Sequence, residues 1–110
     1  MSTTARCKLL VVLLVFVVSA FAQDAPSGQT VFKAKCVMCH GADGLANTTM
    51  GRQVNAASLL SDDVKKLSAA EMEEVVTNGK GSMPSFTDQL SPEEIKAVVG
   101  YVRSLEKNKK

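Results

Sequence analysis

The chain has 110 residues, 13 basic and 11 acidic side chains, one histidine, three cysteines and no tryptophan. That length allows one domain at most. The small charge excess contains no basic stripe, so the composition does not point to a nucleic-acid binder.

Residues 1–8 carry Arg6 and Lys8 and no acid, Leu9 to Val18 is unbroken apolar sequence, and Ala20-Phe21-Ala22 precedes the polar Gln23. These are the n-region, h-region and A-x-A site of a secretory signal peptide. The apolar stretch to Ala22 falls short of the roughly 20 residues that a membrane-spanning helix needs. We expect residues 1–22 to be cleaved, which discards Cys7 and leaves a domain over 23–110. Retention as an anchor is the competing outcome. Cleavage removes Arg6 and Lys8 and leaves basic and acidic residues equal in number. A domain this small often depends on a disulfide, a metal or another added element to complete its core.

Ser27 is an N-cap for a first helix over Gln29 to Lys35. It ends at Cys36-Val37-Met38-Cys39-His40, and the following GADGLANTTMGRQVNAASLL has no sustained apolar period. An irregular loop of some twenty residues is expected there, uncommon unless it wraps something. Ser61-Asp62-Asp63 can start a short turn through Leu67. Ser68-Ala69-Ala70-Glu71 is a capping box that opens a helix to Asn78, closed by Gly79. Ser91-Pro92-Glu93-Glu94 opens the last helix with an N-cap, a proline at the first helical position and a second capping box. Its apolar residues Ile95, Val98, Val99, Val102 and Leu105 recur at helical spacing. No segment alternates as a strand, so the fold class is all-α, with three to four short helices and long loops.

The central motif is Cys36, Cys39 and His40. A thioredoxin-like dithiol needs a strand before the C-x-x-C, and none is indicated. A structural zinc site needs four N or S ligands, and residues 23–110 offer two cysteines and one histidine. C-x-x-C-H is the attachment pattern of c-type haem, in which two thiols add to the vinyl groups and the histidine is delivered to the iron. The expected cofactor is one haem c, covalent through Cys36 and Cys39, wrapped by the loops. With no second histidine, the sixth ligand must be methionine, another weak donor, water or nothing. Met83 is better placed than Met50, because Gly79, Gly81 and Pro84 hold it in an extended loop. Met72 falls on a helical apolar stripe and reads as core.

Over 23–110 the sequence resembles a small class I cytochrome c of the monohaem bacterial and photosynthetic type. The residues that carry the likeness are Cys36, Cys39 and His40, Gly28 and Phe32, Met83 within GKGSMPSF, and Tyr101 within AVVGYVRSL. The resemblance implies that the first and last helices cross at Gly28, Phe32 and Tyr101. It also implies a one-electron carrier with His40 and Met83 as axial ligands, not an enzyme, serving a respiratory or photosynthetic chain. A haem enzyme or gas-binding protein with an open sixth position, or a membrane-anchored relay subunit, are the alternatives. Relatives often have a proline whose carbonyl accepts the proximal histidine's ring N–H, but Asn47-Thr48-Thr49-Met50-Gly51 contains none, and Thr49 is the nearest substitute by position. Expected partners are redox proteins docking at the exposed haem edge, with Lys33, Lys35, Lys80 and Arg52 as a basic rim. We expect a monomer without stable membrane association, exported to the periplasm of a Gram-negative bacterium.

Overall fold

The structure, a computed structural model, describes residues 26–108, so the signal segment at 1–22 lies outside the described residues. Within them the fold is all-α: α1 (Gly28–Lys35), α2 (Val37–His40), α3 (Thr49–Gln53), α4 (Asp62–Lys65), α5 (Ala69–Asn78) and α6 (Pro92–Asn108). No strand occurs among them, only an isolated antiparallel bridge between Lys80 and Met83.

The helix starts follow side-chain capping. Ser27 Oγ accepts from the Thr30 N–H, and the Ser61 hydroxyl accepts from Val64 at the head of α4. In α5 the Glu71 N–H donates to Ser68 Oγ while the Glu71 carboxylate accepts from the Ser68 N–H. The same reciprocal pair joins Ser91 and Glu94 before α6, where Pro92 occupies a position whose N–H would have had no helical partner. Each cap satisfies backbone donors that the first turn leaves open.

The last helix, α6, runs 17 residues and carries the stripe expected from Ile95 to Leu105, because no proline interrupts it and Gly100 is tolerated on its exposed side. One expectation changes. The segment after His40 is not wholly irregular, since it contains α3. This single turn is held by the Thr48 cap and close backbone contact rather than by an apolar stripe, so helical periodicity could not reveal it.

The core sits where α1 crosses α6. Val31, Phe32, Phe86, Leu90, Ile95 and Val98 form one buried cluster, and Met83, Cys36, Val37 and Tyr101 pack against it while remaining partly exposed. The Phe32 and Tyr101 rings lie 5.2 Å apart, centroid to centroid, tilted by 55°, within the range in which aromatic pairs attract beyond their burial. A Cβ on Gly28 would collide with the Ala97 carbonyl, so glycine lets the two backbones touch. The crossing at Gly28, Phe32 and Tyr101 is therefore as expected. Among the described residues no helix is long and apolar enough to cross a membrane.

Candidate haem site

Cys36 terminates α1 and starts α2, and its carbonyl accepts from the N–H groups of Cys39 at 3.3 Å and His40 at 2.9 Å. This tight turn puts Cys36, Cys39 and His40 at i, i+3 and i+4, on one side of a helical segment. Both thiols are free and half-buried. Burial, and secondarily the neighbouring Cys39, push the Cys36 thiol up to about 11. Among the described residues there is no cluster of three or more His, Cys, Asp or Glu side chains suited to a metal ion.

The His40 ring is oriented by the backbone. Its Nδ1 lies 2.9 Å from the Ala57 carbonyl oxygen; a carbonyl only accepts, so Nδ1 is the donor, and in the neutral ring Nε2 has the lone pair. The partner is Ala57, not Thr49. Thr49 is the first residue of α3, whereas the chain beyond α3 turns back through Asn55, at φ +52°, and the Ala56 N–H donates to Gly51 O at 2.8 Å. Asparagine tolerates that left-handed geometry better than most side chains.

Thr48, Gly51 and Ala57 also belong to the site, beyond the residues expected from the sequence. Thr48 is an N-cap residue type before a short helix, and Gly51 a small residue near the motif. Ala57 acts through its backbone, which no side-chain pattern encodes.

Met83 sits in a two-residue turn, with the Lys80 N–H donating to Met83 O at 3.0 Å and the Met83 N–H to Lys80 O at 2.9 Å. Gly79 and Gly81 take the left-handed angles of φ +77° and +56° that this loop requires. Beyond it, the Phe86 N–H donates to Val76 O at 3.0 Å, and the Ser85 and Thr87 hydroxyls both donate to Thr77 O. The loop thereby satisfies carbonyls left open in the last turn of α5. Met83 is half-buried against the same core that Cys36 borders, whereas Met50 on α3 and Met38 in the motif are exposed and Met72 is buried.

This donor set fits a covalently held haem: two uncommitted thiols and an imidazole on one turn, the imidazole's second nitrogen already donating to a carbonyl, and a constrained thioether. The partly covered apolar side chains Val37, Leu59, Val76, Val102 and Leu105 line the core and fit an apolar macrocycle.

Residues 23–102 match the family model described as cytochrome C oxidase, cbb3-type, subunit III. Cytochrome c6 of Gloeothece citriformis is 40% identical over 95 residues, covering 83% of this chain and 78% of that protein. The chain belongs to the class I cytochrome c family. Cytochrome c6 of a Picosynechococcus species is 35% identical over 109 residues, covering 93% of this chain and 91% of the relative. Among solved structures, the KustC0563 c-type cytochrome aligns with a TM-score of 0.67 at 30% identity, covering 74% of this chain and 99% of that one. As a class I cytochrome c, the protein is an electron carrier that uses haem c, not an enzyme.

Proposed function

We propose that this cytochrome holds its haem through thioether bonds to Cys36 and Cys39, with His40 and Met83 as axial ligands, and passes single electrons between redox proteins outside the cytoplasm. The observation that carries the ligation is the His40 Nδ1–H bond to the Ala57 carbonyl, which occupies Nδ1 and leaves Nε2 available as the donor atom. Such a second bond fixes the tautomer of a metal-binding imidazole and strengthens it as a donor.

When bound, haem supplies the one-electron couple, and a methionine ligand sets a higher potential than a second imidazole. The chain's own part is to orient and to exclude water. Ala57 O holds the His40 ring, the Lys80–Met83 turn restricts the thioether, and the Phe32, Phe86 and Val98 core limits solvent access. With His40 and Met83 both holding the iron, no coordination position would be left for a substrate.

Residues 1–22 act as an export signal in this reading, with a Gram-negative periplasm as destination. Lys33, Lys35 and Lys80 are exposed, and they form the basic rim toward an acidic partner. One relative favours a second reading, a relay domain within a larger assembly. The cbb3-type cytochrome c oxidase subunit FixP of a Bradyrhizobium species is 36% identical over 85 residues, although the match covers only 28% of it. N-terminal sequencing of the purified protein separates the two: a start at Gln23 supports the free carrier, and retention of residues 1–22 supports the anchored relay.

The deciding experiment is an intact mass and an absorption spectrum of the exported protein in both oxidation states, with and without Met83→Ala. We expect the mass of one added haem, and a red ferric absorption of the iron–thioether bond that disappears in Met83→Ala. Colourless protein overturns the reading.

A further inference from the structure

The turn that carries the haem motif presents four carbonyls at its end, and each has one partner. Val37 O accepts from the Gly41 N–H at 2.9 Å, and His40 O accepts from the Ala46 N–H at 2.8 Å. Met38 O and Cys39 O lie 2.8 Å and 3.0 Å from Thr48 Oγ1. Among the described residues no other donor reaches either of them. One hydroxyl proton is thus shared between two carbonyls, a three-centre arrangement typical of helix ends. The same oxygen accepts from the Gly51 N–H at 2.8 Å. Thr48 therefore fastens the start of α3 to the end of α2.

Gly51 makes the contact close. A Cβ there would stand 2.3 Å from Cys39 O and 2.8 Å from Ala46 O, so only glycine lets α3 approach this near. The Gly51 carbonyl then receives the Ala56 N–H at 2.8 Å, and the next residue, Ala57, presents its own carbonyl to His40 Nδ1. A continuous path runs from the Thr48 hydroxyl through Gly51 and Ala56 to the imidazole.

We propose that Thr48 is a positioning residue for His40: by fixing α3 against the motif, it holds the Ala57 carbonyl in hydrogen-bond contact with Nδ1 and so tunes the reduction potential. The inference rests on the reading of His40 as an iron ligand. Donation from Nδ1–H makes the imidazole a stronger donor and favours ferric iron. Loosening that bond raises the potential, independently of any loss of global stability.

The test compares wild-type holoprotein with Thr48→Val, which cannot donate, and Thr48→Ser, which can. Three readouts are taken: haem content, reduction potential by spectroelectrochemical titration, and exchange of the His40 ring N–H by nitrogen-edited NMR. Thr48→Val is expected to retain its haem, shift the potential upward and speed the ring N–H exchange by roughly tenfold or more, as local opening becomes easier. Thr48→Ser is expected to restore the last two. Should Thr48→Val fail to accumulate, Thr48→Ala makes the same comparison without a methyl against the two carbonyls. In the wild type, the Gly51 amide and the His40 ring N–H should show the same opening free energy, and unrelated values count against the path. Haem-loaded variants with unchanged potential and exchange, but a lower melting temperature, overturn this inference alone. Wild-type protein without haem overturns the proposed function and this inference together.

Discussion

A Cβ built on Gly28 would stand 2.0 Å from the carbonyl oxygen of Ala97, and 2.6 Å from its carbonyl carbon. Both obstructing atoms are backbone, so no side chain can swing aside to make room. The contact lies at the crossing of α1 and α6, beside the buried Phe32 and Val98. Gly28→Ala must therefore separate the helices that make the core. Overpacking of this kind costs about 1–3 kcal/mol, and a rigid backbone obstacle puts the expectation at the upper end. Urea denaturation of the holoprotein should show a lower midpoint with little change in slope.

Gly79 makes the corresponding prediction for the Met83 loop. Its φ of +77° suits glycine, and a Cβ there would lie 2.7 Å from Met83 O and 2.8 Å from Ser85 N. Gly79→Ala should cost about 1–3 kcal/mol from the backbone alone, because φ +77° with ψ 169° is a region essentially confined to glycine. It should also displace the Met83 turn. The expected signature is partial loss of the iron–thioether absorption at a temperature where the helical circular dichroism is still native. If the absorption and the helix signal fall together, the loop has no separate role in holding Met83.

Methionine choice gives a sharper contrast. Met50 is 40% exposed on α3, whereas Met83 packs against the core within a hydrogen-bonded turn. Met50→Leu should leave the ferric spectrum and potential unchanged. Met83→Leu should remove the thioether absorption and lower the potential, because the better ferrous-stabilising ligand is gone. The reverse result would assign the sixth position to Met50.

Glu71 supplies a pH dependence. Its carboxylate accepts the Ser68 N–H, and that bond first, then the Ser68 side chain, lowers its pKa from the ordinary 4.5. A depressed carboxylate stabilises the folded state above its unfolded pKa and loses that contribution as pH falls through its folded pKa. Wild type should exceed Glu71→Gln in stability near neutrality. The gap should close as the solution is acidified below 4.5. Paired thermal melts across that range measure it, and a gap independent of pH would show that the charge is irrelevant to the cap.

The buried aromatic contact also has a measurable share. Phe32 is 1% exposed and meets Tyr101 at 5.2 Å. Phe32→Ala should cost about 3–5 kcal/mol through lost burial and the cavity left behind. Phe32→Leu should recover much of that loss, since it refills most of the volume. Chemical denaturation of both variants with haem in place separates cavity from aromatic contributions.

Elements with a local chemical cause could be read along the chain. The two capping boxes at Ser68 and Ser91 each need only four consecutive residues, and the structure forms both. The cysteine and histidine spacing likewise needs a single turn of backbone, and the stripe of Ile95, Val98 and Val99 needs only regular period. Gly28 and Tyr101 became interpretable through family resemblance, because nothing local marks a glycine as a helix crossing. The helix α3 escaped because a five-residue turn has no room for an apolar repeat.

By itself, then, the order of residues determined the all-α class, most helix starts and the attachment motif, since capping, periodicity and close-spaced ligands act over a few neighbouring positions. Tertiary structure decided that the Ala57 carbonyl, and not Thr49, meets the His40 ring, and that Thr48 ties the motif to α3. Those bonds join backbone groups brought together by chain reversal at Asn55 and by the close approach at Gly51. Every residue carries the same carbonyl, so only the folded path selects which one the imidazole meets.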